Sequence, residues 1–418
     1  VDGRDKPGHD DGWDCTLTPS AWRIPPAFAT SPAPYKEQAV SFDAADTRAR
    51  NGRAEALVEL YERAAYVRVQ PAILQPADAF LELSGEELRR RLFLTTDADG
   101  REMCLRPDLT IPTCRLHIES SAPVPASYCY LGRVFRDRGG GAGEYLQAGI
   151  ESLGREDLEA TDAETLALAL DSAKHFGVEK PMIRMGDVGL FSAFVAALNL
   201  SPAWRRRLLK DFNRTGTLAA DLSSLKQISS APSPHAGMLA ALEGSDLASA
   251  RAFVADLLSI AGISNVGGRT VGEIAERFLE QASLGSAGGL GSGNCTALER
   301  YLSVEGDPDE ALAELRALAK DSNLDLSAGL DRLEQRIGFM AAGGVDLSIV
   351  RFSTAFGRAL DYYTGMVFEL YDPRGQVKWP LIAGGRYDRL MTLLGGKNAI
   401  PAVGFAAWIE QLEQAGAA

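Results

Sequence analysis

The sequence predicts an α/β chain of the α+β type: a mainly antiparallel sheet flanked by helices, with a helical insertion. Three observations predict it. Met366-Val367-Phe368-Glu369-Leu370 has the alternation of a half-buried strand. Residues 128–154, YCYLGRVFRDRGGGAGEYLQAGIESLG, read as a strand, a Gly-rich loop and a returning strand. Leu326, Leu330, Leu333, Ile337 and Met340 step by four and three, the spacing of an amphipathic helix.

Composition narrows the function classes. The 418 residues suffice for two domains, or one large domain with an insertion. A hydrophobic content of 46% supports a sizeable core. The net charge of −13 disfavours non-specific phosphate binding, although a local basic patch would still allow it. The five cysteines form no C-x-x-C pair and the four histidines no H-x-x-x-H pattern, so no structural metal site is expected. Reduced, buried thiols in a cytoplasmic protein are the expectation. No apolar run reaches the length of a membrane span.

The elements follow in chain order. Residues 1–45 show no helical or strand period and are expected to be a disordered leader. The chain starts at Val1 and holds no methionine before Met103, which suggests a start site placed too far upstream. From Asp46, Leu57, Val58, Tyr61 and Ala65 recur at helical spacing, and Tyr66–Val69 reads as a strand. Residues 103–110, MCLRPDLT, read as a strand ending in a turn in which Asp108 caps the next helix. Gln147 and Glu151 are four apart on the returning strand, so both share one face. Thr161-Asp162-Ala163-Glu164 has the form of a capping box, opening a helix that stops at Gly177. Trp204–Arg214 carries Arg205, Arg206, Arg207, Lys210 and Arg214, read as a solvated helix face rather than an RNA patch. Gly285–Asn294 reads as a loop. The core is expected over 46–200 and 345–418, and the helical insertion over 201–344.

Just ahead of the Met366 strand, Arg358-Ala359-Leu360-Asp361-Tyr362-Tyr363 sets a guanidinium beside two phenols. A guanidinium grips a carboxylate by a two-pronged bond, and a phenol meets a polar ring, a fit for a small zwitterion. A buried tyrosine that merely satisfies its hydroxyl is the plainer alternative. This segment resembles the histidine-binding motif of histidyl-tRNA synthetases, with Ala359 in place of a glycine. Leu105–Thr110, the 128–154 unit, Gly384-Gly385-Arg386-Tyr387-Asp388 and Pro401–Leu412 resemble that family in the same order. The resemblance implies a class II aminoacyl-tRNA synthetase-like fold in which Pro401–Phe405 opens a helix. It also implies that Asp108, Thr110, Gln147 and Glu151 hold the amine side of histidine. Arg358 would hold the carboxylate, and Tyr363, with Tyr362, the imidazole.

The departures point elsewhere. Arg136 occupies the family's α-phosphate position. Arg138 replaces a glutamate, however, and Gln411 replaces the arginine that grips the ATP triphosphate. An amide cannot stabilise the charge that builds on a phosphate during adenylation. Only six residues follow Leu412, so the synthetases' anticodon-binding domain is not expected. A kept amino-acid site and a lost nucleotide site together resemble the ATP phosphoribosyltransferase regulatory subunits. That resemblance implies a non-catalytic chain without cofactors, with L-histidine as effector. It implies a homodimer joined to a short-form catalytic subunit in a hetero-oligomer, at the first step of histidine biosynthesis. Two rivals remain: a truncated histidyl-tRNA synthetase or histidine-adenylating enzyme, and an RNA-binding or structural dimer. Binding to tRNA is not expected.

Overall fold

The computed structural model describes residues 44–83, 89–137, 143–212, 291–357 and 362–417, with a few positions between 252 and 270. The expected leader falls almost wholly outside them, as does Arg214.

Helix α1 (Ala44–Arg63) buries Leu57, Val58 and Tyr61 completely. Ala65, expected on the same stripe, lies beyond the helix at φ 67°, where the chain turns into β1 (Val67–Arg68). Strands β2 (Leu74–Pro76), β3 (Leu94–Thr96) and β4 (Glu102–Leu105) form a small antiparallel sheet in the order β2-β4-β3, with α2 (Asp78–Leu83) between β2 and β3. After the Arg106–Asp108 turn comes α3 (Thr110–Ser120), and the Asp108 side chain accepts the Ile111 N–H at 3.2 Å. The expected cap role is therefore present.

The large sheet has nine strands. Strands β5 (Ala126–Phe135) and β6 (Glu144–Leu153) form the anticipated hairpin. Then come β7 (Met182–Asp187), β8 (Glu305–Gly306), β9 (Val350–Ser353), β10 (Met366–Tyr371), β11 (Ile382–Arg386) and β12 (Ala402–Trp408). Their order is β1-β5-β6-β12-β11-β10-β7-β9-β8. Every pairing is antiparallel except β1 with β5 and β7 with β9.

Helices cover one face. Tyr61 of α1 meets Phe405 of β12 edge-on and hydrogen-bonds Ser172 at 2.9 Å. Ser172 belongs to α4 (Leu158–His175), which packs on β11 and β12. The opposite face, bearing Gln147 and Glu151, is left for the candidate site.

Three local expectations need correction. Helix α4 begins at Leu158, three residues before the supposed capping box. Thr161 donates to the Asp157 carbonyl at 2.8 Å, and Glu164 pairs with Arg155 instead of reaching back. Asp162 is fully buried and held by arginines, so it was never a surface cap residue. Pro401–Phe405 does not open a helix. It leads into β12, and the helix that follows is α11 (Ile409–Gly416). Small residues weaken the strand signal there, but both edges of β12 are paired along its length. Asn294, expected in a loop, lies inside α7 (Ser292–Leu302); residues 285–290 fall outside the described set.

Helices α5 (Val188–Ala197) and α6 (Pro202–Phe212) follow β7. In α6, Trp204, Leu208 and Phe212 are buried while Arg205 and Arg206 face solvent. Helices α8 (Pro308–Asp321) and α9 (Ser327–Ala342) belong to the stretch expected as an insertion. Helix α9 carries the foreseen stripe: Leu326, Leu330, Leu333, Ile337 and Met340 are all buried. It packs on α4, α8 packs on β9, and β8 joins the main sheet, so these elements share the main core. A short helix α10 (Leu390–Leu393) precedes β12, and α11 follows it.

Candidate ligand site on the open face of the sheet

Strand register builds the site. Glu151 of β6 sits opposite Gly404 of β12, and Gly404 sits opposite Gly385 of β11. Two adjacent glycines leave a strip of bare backbone, a trough in the sheet face over which the Glu151 and Tyr363 side chains lie. A Cβ at residue 404 would come 2.0 Å from Glu151 Oε2, and one at residue 385 would come 3.0 Å from Tyr363 Cε1. Gly149 does the same for Tyr130, whose hydroxyl would lie 2.6 Å from an added Cβ.

Glu151 is wholly buried at one wall. Tyr130 donates to its Oε1 at 3.0 Å, and Tyr387 donates to Oε2. Burial pushes the Glu151 carboxyl up to about 8, against the pull of hydroxyls from Tyr387, Thr110 and Tyr130. The neighbouring Asp108 carboxyl raises it further, and is itself raised by burial despite Arg136 nearby. Neither carboxyl has a basic partner within 4 Å among the described residues, and Asp108 Oδ2 is buried without any hydrogen bond. Gln147, fully buried on the same face, accepts the Leu109 N–H through Oε1 at 3.2 Å. That bond fixes the amide orientation, because a backbone N–H can only donate. Its Nε2 therefore points inward as an unpartnered donor.

Tyr362 and Tyr363 are buried, their ring centroids 4.9 Å apart, and Tyr362 meets Tyr387 edge-on at 5.9 Å. Contacts through Tyr387 and Thr110 thus join Asp108, Thr110, Gln147, Glu151, Tyr362 and Tyr363 into one neighbourhood. Arg358 and Arg138 lie outside the described residues, as does the Gly139–Gly141 loop. Sequence reasoning missed Tyr130 and Tyr387 as site residues. Tyr130 read only as strand, and its role depends on the β5–β6 register that sets it over Gly149.

The family model described as histidyl-tRNA synthetase matches residues 41–265 and 253–412. An ATP phosphoribosyltransferase regulatory subunit from Brucella canis is 42% identical over 358 residues, covering 85% of this chain and 94% of its own. The chain belongs to the ATP phosphoribosyltransferase regulatory subunit family, a histidyl-tRNA synthetase-like group. A Brucella suis regulatory subunit matches equally, at 42% identity over 358 residues. Among solved structures, an ATP phosphoribosyltransferase regulatory subunit/histidyl-tRNA synthetase from Bacillus halodurans superposes with a TM-score of 0.64 at 20% identity. That match covers 94% of this chain and 84% of the other. A histidine–tRNA ligase subunit from Alicyclobacillus acidocaldarius gives 0.56 at 24% identity, covering 93% and 98%. These two likenesses establish the class II synthetase-like fold.

Two of the positions expected on the nucleotide side, Arg136 and Gln411, lie among the described residues. Arg136 donates to the Pro107 carbonyl at 2.6 Å and stacks 4.9 Å above Trp408. Gln411, in the first turn of α11, has a buried Oε1 without a partner. Among the described residues no cluster of His, Cys, Asp or Glu could hold a metal ion, and no helix is long and apolar enough to cross a membrane.

Proposed function

We propose that this chain binds L-histidine in the trough and, joined as a dimer to a short-form catalytic subunit, confers feedback control on ATP phosphoribosyltransferase. One observation carries the ligand: two buried carboxyls, Asp108 and Glu151, with no salt-bridge partner among the described residues, beside the buried, unpartnered amide N–H of Gln147. Burial favours the protonated form of both carboxyls, and a ligand ammonium would ionise them and be held by charge-assisted hydrogen bonds. The amide orientation refines the sequence reading. Gln147 offers a donor, so it meets an acceptor of the ligand, and the ammonium falls to Asp108 and Glu151. Tyr362 and Tyr363 supply the aromatic wall, Thr110 steadies Glu151, and Arg358 holds the carboxylate. Gln411 supports a chain that does not adenylate its ligand, because an amide leaves the triphosphate without its cationic grip. The identity to named regulatory subunits supports the partner.

Calorimetric titration of L-histidine into the full chain tests this reading, with and without ATP and magnesium, while pyrophosphate is followed. Binding without pyrophosphate release is expected. Asp108→Asn should weaken binding roughly a hundredfold, the loss of one charge-assisted contact in a dry site. Pyrophosphate release would instead assign histidine activation, and absence of binding would remove the ligand.

A further inference from the structure

Five charged side chains from distant stretches form one ladder behind the trough, four of them buried and Asp388 partly exposed. Arg336 of α9 donates through Nε to Asp162 Oδ2 and through Nη1 to Asp187 Oδ2, both at 2.8 Å. Asp162 of α4 also takes Arg386 Nε on Oδ1 at 2.9 Å. Arg386, closing β11, passes Nη1 to Asp388 at 3.0 Å. Arg336, Asp162 and Arg386 have side chains at most 5% exposed.

The backbone at the ladder's Arg386 and Asp388, and the Arg386 side chain, hold Thr364 and Gly365, directly after the two site tyrosines. The Thr364 N–H donates to the Arg386 carbonyl at 2.8 Å, and Thr364 Oγ1 accepts the Asp388 N–H at 3.0 Å. The Gly365 carbonyl accepts the N–H of Val188, next to Asp187, at 2.9 Å. Gly365 also rests on the Arg386 shaft, whose carbons would lie 3.1–3.4 Å from an added Cβ. Packed apolar side chains would hold α9 against α4 without the desolvation cost of three buried charges. Directional bonds add a fixed angle and height for the backbone of 362–365.

We infer that Arg336 is a positioning residue: through Asp162 and Arg386 it sets where Tyr362 and Tyr363 stand over the trough, and so tunes ligand affinity from a helix outside it. The inference rests on the histidine reading given above. It makes α9 a route between the helical stretch around 292–342 and the site.

The test titrates L-histidine into the full wild-type chain and into Arg336→Gln, Arg336→Lys and Leu315→Ala. Leu315 is fully buried in α8 and outside the ladder, so its truncation controls for lost stability alone. Arg336→Gln is expected to weaken histidine roughly tenfold, with Arg336→Lys recovering most of the loss. Leu315→Ala should lower the unfolding midpoint yet hold affinity within about twofold. Combined with Tyr363→Phe, Arg336→Gln should be non-additive. Should Arg336→Gln not fold, Asp388→Asn carries the test, with a loss of about threefold. Unchanged affinity in the ladder variants, or an equal loss in Leu315→Ala, overturns the inference while the histidine reading stands. A wild-type chain that binds no histidine overturns both.

Discussion

Two buried acidic clusters lie close together in this fold, and they are solved in opposite ways. Behind the trough, Asp162 and Asp187 share Arg336, and Asp162 also holds Arg386. Burial drives the Asp162 carboxyl up, against the pull of the two guanidinium groups beside it. In the trough, Asp108 and Glu151 have only neutral donors: tyrosine and threonine hydroxyls and backbone N–H groups. Both clusters took their charges out of water. One answers the cost from within the chain, and the other leaves it open. Where a chain leaves a buried charge unanswered, the answer is expected from a ligand.

The sharpest way to break this contrast is to remove the shared carboxylate of the ladder. Asp162→Ala leaves buried Arg336 with Asp187 alone and buried Arg386 with the partly exposed Asp388, so a loss of about 3 kcal/mol is expected in urea unfolding. A loss under about 1 kcal/mol would mean that the ladder is not a structural charge network.

The second effect is a pH dependence set by Glu151. Glu151 is pushed up to about 8, above its ordinary 4.5. Between those values the folded chain keeps a proton that the unfolded chain has released. Stability therefore falls as pH rises through that window and levels off above it. Glu151→Gln should flatten the slope. An arriving ammonium should also expel this proton, so histidine should bind more tightly as pH rises toward 8. Binding heats measured in buffers of different ionisation enthalpy count the protons released, and identical heats would refute the linkage.

The smallest effect comes from a third cluster, at the surface. Arg155 pairs with Asp157 and Glu164 on side chains 33–60% exposed. The guanidinium holds the Asp157 carboxyl down to about 2. Solvent screens such pairs, so Arg155→Ala should cost under about 1 kcal/mol in the same unfolding assay.

The two clusters also differ in how far they could be read from sequence. Asp108, Gln147 and Glu151 lie on one strand–turn and one hairpin, whose alternation and glycines are local signals. The ladder joins residues 162, 187, 336, 386 and 388, and no local period links them. Asp162 even sat inside a sequence with the form of a capping box, which hid its burial. The misread of 401–405 has a related cause. Gly404 and the alanines of β12 lack strand propensity, and the close approach to Glu151 explains Gly404. Helix α9 was legible because its five apolar positions share one uninterrupted stripe.

Strand β6 is hydrogen-bonded to β5 along all ten of its residues and to β12 along seven. A floor clamped on both edges behaves as an anvil: it takes a blow without yielding. News that the trough is filled must then leave by the walls. The parts free of the ladder of strands are the turn before Thr110 and the stretch ending at Gly365. If the trough takes histidine as proposed, its occupancy is read in the posture of these two short connectors, while the strand floor keeps still.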